Sequence, residues 1–174
     1  MKKIAFVLVV IIFYSCQNNT VKTNFILDDE IESKINSHLK KMTIADKVGQ
    51  TCQVTLGALM KTDSKNKLIW PHEIDPEKLS VAINDYKIGS ILNVSNHTFD
   101  LERWHEIIKT VQTEAMSSKL GIPIIYGIDA IHGVTYTRNS TLFPQEIGLA
   151  ATWDLEHAKV MGEVTAYETR ASGI

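Results

Sequence analysis

Apolar residues in the first third of the chain recur at helical spacing, and two later stretches carry short apolar runs instead. Ile31, Ile35, Leu39 and Met42 fall three to four apart, which puts them on one helical face. Asp29 with Glu32 three residues on resembles a capping box and sets the start of that helix. Thr43 with Asp46 marks a second start, for a helix through Val48 and Cys52. Residues 57–75 are polar and irregular, with Trp70-Pro71 as a stop. Asp75-Pro76 then opens a short helix, with Pro at the first helical position where a missing N–H costs nothing. Gly89 leads into the strand Ser-Ile-Leu-Asn-Val-Ser, residues 90–95. Asp100 caps a helix whose apolar set is Leu101, Trp104, Ile108, Val111 and Ala115. Ser117 to Gly121 breaks it. Ile122 to Ile128 then reads as a buried strand, followed by a polar loop and a helix that opens near Asp154.

Strands separated by amphipathic helices argue for parallel β/α units. The pattern shows only two or three strands and no internal repeat. A closed eight-stranded barrel takes about 250 residues, so the roughly 158 residues after Cys16 do not complete one. A smaller doubly wound sheet fits the length but needs more strands than the pattern supplies.

The first sixteen residues stand apart. Met-Lys-Lys followed by ten apolar residues, Ile4 to Phe13, is a targeting segment too short to span a bilayer as a stable helix. Ser15-Cys16 directly after it resembles the lipobox of bacterial lipoproteins, in which the cysteine is lipidated and becomes the new N-terminus. Phe13 and Tyr14 are bulkier than the usual lipobox residues, and an ordinary secretory signal with an incidental cysteine is the alternative. Either way the chain is exported, to the periplasm or outer membrane. Residues 17–27 read as a tether. With Cys16 lipidated, Cys52 has no disulfide partner and is expected to be a buried, inert thiol.

Composition narrows the function less than the pattern does. Apolar residues at 44% and charged residues at 22% are average globular values. The formal charge of −2 becomes −4 once Lys2 and Lys3 are removed with the first sixteen residues. No basic patch points to nucleic acid, and the balance favours a neutral or weakly polar ligand.

Asp129, at the carboxyl end of the second strand, is the leading functional residue. Side chains just past a strand end face the ligand side of such folds, and a carboxylate there accepts two hydrogen bonds from adjacent sugar hydroxyls. An N-cap or loop-bracing role is the alternative. His132, three residues on, would form a metal pair with Asp129, but two ligands without a third are weak grounds. A loop histidine donating to a backbone carbonyl is the better reading, and no metal or cofactor is expected. Glu168 and Arg170, two apart, are expected to pair with other parts of the fold. Trp153-Asp154 reads as packing plus a helix cap, and Trp104 and Trp70 as packing, with Trp70 also able to line a sugar site.

Several blocks together carry a resemblance. Lys41-Met42-Thr43 followed by Asp46-Lys47-Val48-Gly49-Gln50 is similar to the opening of glycoside hydrolase family 3, the β-glucosidase-like enzymes. Ile88-Gly89-Ser90-Ile91-Leu92 resembles that family's first barrel strand, and Gly127 through Gly133 its sugar-contacting loop. Phe143-Pro144-Gln145, Gly148 through Asp154, and Glu168 through Ile174 continue the match in order, over about residues 28–174. The resemblance implies the N-terminal β/α units of an incomplete (β/α)8 TIM-type barrel. It also implies the N-terminal part of a retaining, exo-acting hydrolase of β-glucosides or short β-linked oligosaccharides. Asp129 matches the position that contacts hydroxyls of the sugar at subsite −1. The nucleophile and the acid/base match nothing here and are expected beyond residue 174, so residues 1–174 alone are expected to be inactive. The rival reading is a non-catalytic lipoprotein that binds sugar or a partner through the Asp129 loop, anchored to the membrane at Cys16.

Overall fold

The computed structural model describes residues 28–94 and 97–174. The targeting segment 1–16, Cys16 and the tether 17–27 lie outside them. The chain divides into two compact units, Met1–His38 and Leu39–Ile174. Helix α1 (Asp29–Lys41) begins in the first. Asp28 caps it, accepting at Oδ1 from the backbone N–H of Glu30 (2.9 Å) and Ile31 (3.3 Å), in place of the capping box expected from Asp29. Ile31, Ile35 and Leu39 are exposed.

The second unit opens with helix α2 (Ile44–Gln50) and a complete capping box. The Thr43 N–H donates to Asp46 Oδ2 (2.8 Å) and the Asp46 N–H to Thr43 Oγ1 (3.1 Å). The Thr43 backbone N–H, and then its hydroxyl, hold the buried Asp46 carboxyl below its ordinary value of 3.8. The helix stops at Gln50, two residues short of the expected Cys52. At this point the backbone meets the approach to the next strand. A Cβ at Gly49 would run into the Tyr86 carbonyl, and one at Gly89 into the Gln50 carbonyl. The Gln50 side-chain amide fills the remaining gap, donating to the carbonyls of Lys87 (3.0 Å) and Ile88 (3.3 Å).

Cys52 is consequently released from the helix and is exposed, which corrects the expected buried thiol. Its carbonyl instead starts the sheet, accepting from the N–H of Gly89 (3.2 Å) and Ser90 (3.3 Å). Strands β1 (Gln53–Thr55), β2 (Ser90–Leu92) and β3 (Ile125–Gly127) form one parallel sheet in the order β1-β2-β3, with Val54, Ile91 and Tyr126 in register. So the Ile88–Leu92 block is the second strand of this sheet. Strand β3 is shorter than expected and not buried throughout, since Ile124 is buried but Ile125 is 73% exposed.

The core packs helices and loops against this sheet. Leu56, Leu59 and Met60, in and just after a 3-10 turn (Leu56–Leu59), are all buried. The stretch expected to be polar, residues 57–75, thus contains two core residues near its start, Leu59 and Met60. Helix α3 (Pro76–Ser80) begins at Asp75, which accepts from the N–H of Glu77 (3.0 Å) and Lys78 (3.3 Å), and it supplies Leu79. The chain then widens into a π turn (Val81–Asp85) that buries Ala82 and Ile83.

Helix α4 (Leu101–Ser117) starts at Asp100, whose Oδ1 accepts from the Arg103 N–H (2.9 Å), and buries Trp104, Ile107, Val111 and Ala115. Gln112 on this helix stands in for a strand neighbour. Its amide donates to the Ile124 carbonyl (2.8 Å) and accepts from the Ile124 N–H (3.0 Å). Two more helices follow, α5 (Glu146–Ala150) and α6 (Leu155–Ala171). Asp154 caps α6, accepting from the N–H of Glu156 (2.9 Å) and His157 (3.4 Å). Trp153 does not pack: it lies at φ +55 and is 94% exposed. Three parallel strands flanked by helices are an α/β arrangement, and they do not by themselves close a barrel. Among the described residues no helix is long and apolar enough to cross a membrane.

Candidate functional site

The strands end level with one another, Thr55, Leu92 and Gly127 being paired across the sheet. This carboxyl edge is where ligands gather in parallel α/β folds. Asp129 lies two residues past β3 and is exposed. Asn93 follows β2 directly and takes φ +52, a left-handed conformation that asparagine tolerates better than most residues. This turn ends β2 at Leu92, earlier than the expected Ser95.

The turn also swings the Asn93 amide across β3. Its Nδ2 donates to Asp129 Oδ2 (2.7 Å), and its Oδ1 accepts from the Asp129 N–H (2.7 Å). The Asn93 N–H donates to the Gly127 carbonyl (2.9 Å), and the Tyr126 hydroxyl donates to the Asn93 carbonyl (2.8 Å). Burial pushes the Tyr126 phenol well above its ordinary value of 10, so it stays a donor. One carboxylate oxygen is therefore held by Asn93 Nδ2, and three further bonds steady Asn93 between the ends of β2 and β3. Among the described residues Asp129 Oδ1 has no hydrogen-bond partner. A fixed carboxylate with a free oxygen is arranged to accept from hydroxyl groups.

The loop after Asp129 folds back on itself. The His132 carbonyl accepts from the Phe143 N–H (3.0 Å). A Cβ at Gly133, which lies at φ +94, would run into the Thr141 carbonyl, so this return requires glycine. Among the described residues the His132 ring makes no hydrogen bond, contrary to the expected donation from ring to carbonyl. No group of three His, Cys, Asp or Glu able to hold a metal occurs among the described residues.

Glu168 does not form the expected ion pair. Its carboxylate takes the Thr141 N–H (2.9 and 3.1 Å) and hydroxyl (2.8 Å), pinning the far side of the loop to α6. Arg170 is exposed. A second stitch is the buried hydroxyl pair Thr137 and Ser172 (2.9 Å).

The three tryptophans part company. Trp104 is wholly buried, and its indole N–H donates to the Tyr136 carbonyl (3.1 Å). Trp70 is 67% exposed and meets His72 and His97 edge to face, at ring-centroid distances of 5.4 and 4.8 Å. Partial burial, helped by His72 and Arg138, holds the His97 imidazole below its ordinary 6.5. A groove of about 900 Å³ lies between α5 and α6 and is lined by apolar residues such as Leu149, Trp153 and Met161. It adjoins Ala130, but Asp129 does not line it.

The sequence pattern singled out Asp129 and, as an ion-pairing residue, Glu168, but not Asn93 or Tyr126. The available signal for Asn93 was a polar, turn-favouring residue inside the apolar run expected as strand 90–95, where it ends β2 instead.

Comparison with known proteins places these features in context. Residues 43–174 match the family described as the glycosyl hydrolase family 3 N terminal domain. A lysosomal beta glucosidase of Dictyostelium discoideum is 36% identical over 149 residues, covering 80% of this chain and 17% of that protein. A periplasmic beta-glucosidase of Salmonella typhimurium is 28% identical over 137 residues, or 78% of this chain and 14% of that protein. A beta-xylosidase of Formosa agariphila is 33% identical over 94 residues, 52% of this chain and 12% of that protein. The chain thus spans about a sixth or less of the length of these relatives.

Proposed function

The chain belongs to glycosyl hydrolase family 3, and from that premise we infer that it supplies the first β/α units of a retaining, exo-acting β-glucosidase-type hydrolase. The single observation that carries this reading is the Asp129 carboxylate, clamped by Asn93 at the carboxyl edge of the sheet with one oxygen unpartnered among the described residues. Its role is to hold the hydroxyls of the terminal sugar, so that the glycosidic bond lies against groups supplied by other parts of the hydrolase. Retention requires a nucleophile and an acid/base about 5–5.5 Å apart. No residue of this chain matches either, so residues 1–174 bind but do not cut.

The parallel order β1-β2-β3 suits the opening strands of a (β/α)8 barrel. The exposed apolar residues Ile125, Leu142, Ile147 and Leu155 suit a surface covered by further barrel units. The domain organisation follows the same reading: residues 1–16 are a lipoprotein-type signal, 17–27 a tether, and 28–174 the start of the barrel domain. Export to the periplasm or outer membrane, anchored by lipid on Cys16, fits a hydrolase that meets extracellular oligosaccharide.

An aryl β-glucoside tests the division of labour. Residues 1–174 should show no turnover above background, and the complete hydrolase that contains them should release the aryl group. Turnover by residues 1–174 alone would overturn the assignment of catalysis to other residues. The absence of turnover by the complete hydrolase on β-glucosides and β-xylosides would overturn the glycosidase reading itself.

A further inference from the structure

The exposed Trp70 is held on a built surface. The segment around it is pinned to itself by the Lys61–Glu73 ion pair (2.6 Å) and by the Ile69 N–H, which donates to the Lys61 carbonyl (3.1 Å). It is pinned to α4 by Arg103, whose Nη2 donates to the His72 carbonyl (2.6 Å). On the other side, His97 precedes Phe99, whose N–H donates to the Tyr136 carbonyl (3.0 Å) and whose carbonyl accepts from the Arg138 N–H (2.7 Å). Trp70 and His97 thus sit on two loops anchored at different places, yet their rings meet.

The ring contacts continue inward. His72 meets His97 at 4.9 Å, His97 meets Phe99 at 5.0 Å, Phe99 meets Trp104 at 5.4 Å, and Trp104 meets Tyr126 at 5.7 Å. Tyr126 is the residue that steadies Asn93. The ladder of rings therefore joins the exposed indole to the strand that carries the Asp129 clamp. Beside Trp70 and His97 lies a groove of about 400 Å³ whose rim carries Glu102, Glu106 and Arg138, within the roughly 300–1,000 Å³ range of ligand pockets.

An indole left open on an anchored loop presents a flat apolar surface whose geometry is fixed before anything binds. The ligand that matches an apolar plate ringed by imidazole, guanidinium and carboxylate is a pyranose with equatorial hydroxyls. Its C–H face is apolar, and its hydroxyls point outward to donors and acceptors at the rim. We propose that Trp70, with His72 and His97, forms a second sugar-binding platform, separate from Asp129, that takes an internal or leaving-side unit of a β-linked oligosaccharide. This rests on the glycosidase reading for the class of ligand, but not on Asp129 for its geometry.

The test is isothermal titration of the full chain with cellotetraose, laminaritetraose and xylotetraose, for the wild type, Trp70→Ala, Trp70→Tyr and Asp129→Asn. At least one tetrasaccharide should bind the wild type. Trp70→Ala should weaken that binding at least ten-fold, Trp70→Tyr should recover most of it, and Asp129→Asn should leave a platform-dependent component that Trp70→Ala removes. Circular dichroism that matches the wild type confirms that the exposed substitutions leave the fold intact. Equal affinity of Trp70→Ala and wild type overturns the platform, whatever Asp129→Asn does. Loss of binding in Asp129→Asn with none in Trp70→Ala leaves the Asp129 site standing and the platform refuted. Binding lost in Trp70→Ala and untouched by Asp129→Asn does the reverse. No binding of any of the three sugars to the wild type also overturns the platform, while the aryl-glycoside assay judges the hydrolase reading separately.

Discussion

Asp129 and Asn93 act as one unit, and their substitutions should behave that way. A hydrogen bond to a charged group contributes about 1.5–3 kcal/mol. In the complete hydrolase, Asn93→Ala should therefore lower kcat/KM by roughly ten- to a hundred-fold. Combining it with Asp129→Ala should add little further, because both remove the same contact. A fully multiplicative double variant would show that Asn93 acts elsewhere. Asp129 could be read in the sequence because it follows an apolar run that ends in Gly127-Ile128. Asn93 could not, since its importance comes from a left-handed turn and a neighbour 36 residues away. The exposed Cys52 was misread for a related reason: the helix that would have buried it is cut short by the approach of Gly89, which lies far along the chain.

His97 offers a titration at the same scale. Its folded-state pKa lies below 6.5 because partial burial, His72 and Arg138 all disfavour the imidazolium. Any stability linked to the neutral ring is fully present above about 6.5 and falls as pH drops toward the folded-state pKa. Proton NMR of the ring should give a midpoint below 6.5; a midpoint at or above 6.5 would contradict the packing of this ring.

Elements were legible where a cap announces them. Thr43 with Asp46, Asp75 before Pro76, Asp100 and Asp154 all start helices as the pattern predicts. Asp100→Ala removes one such cap and should cost about 1 kcal/mol in denaturant unfolding. No change would mean that the α4 start is held by tertiary contacts instead. Strands were less legible. Gln53–Thr55 is three residues long, too short for alternation to register, and Leu56, Leu59 and Met60 reach the core from a turn that has no strand or helix period. The junction between α2 and β2 is the least forgiving place in the unit. Gly89→Ala puts a methyl group into the Gln50 carbonyl, and it should destabilise the fold far more than Gly162→Ala, whose Cβ meets nothing within 4 Å. Equal midpoints of thermal unfolding for the two would refute that close approach.

At the scale of the whole molecule, the described residues bury a core on one side and leave apolar side chains open on another. Ile147 and Leu155 are each 85% exposed, and among the described residues β1 and β3 each keep an unpaired edge. Open edges and apolar patches invite self-association, so residues 1–174 in isolation should sediment as oligomers that grow with concentration. A sharp monomer at all concentrations would show that these surfaces are content in water. The sequence pattern held two or three strands separated by helices, and the described residues form a sheet of three parallel strands. The sheet order and the ring ladder needed coordinates, because they join residues that no local pattern connects. The central claim is that the clamped Asp129 carboxylate meets the sugar. Steady-state kinetics of Asp129→Ala in the complete hydrolase test it most directly: KM should rise and kcat should fall together, whereas wild-type values for both would contradict it.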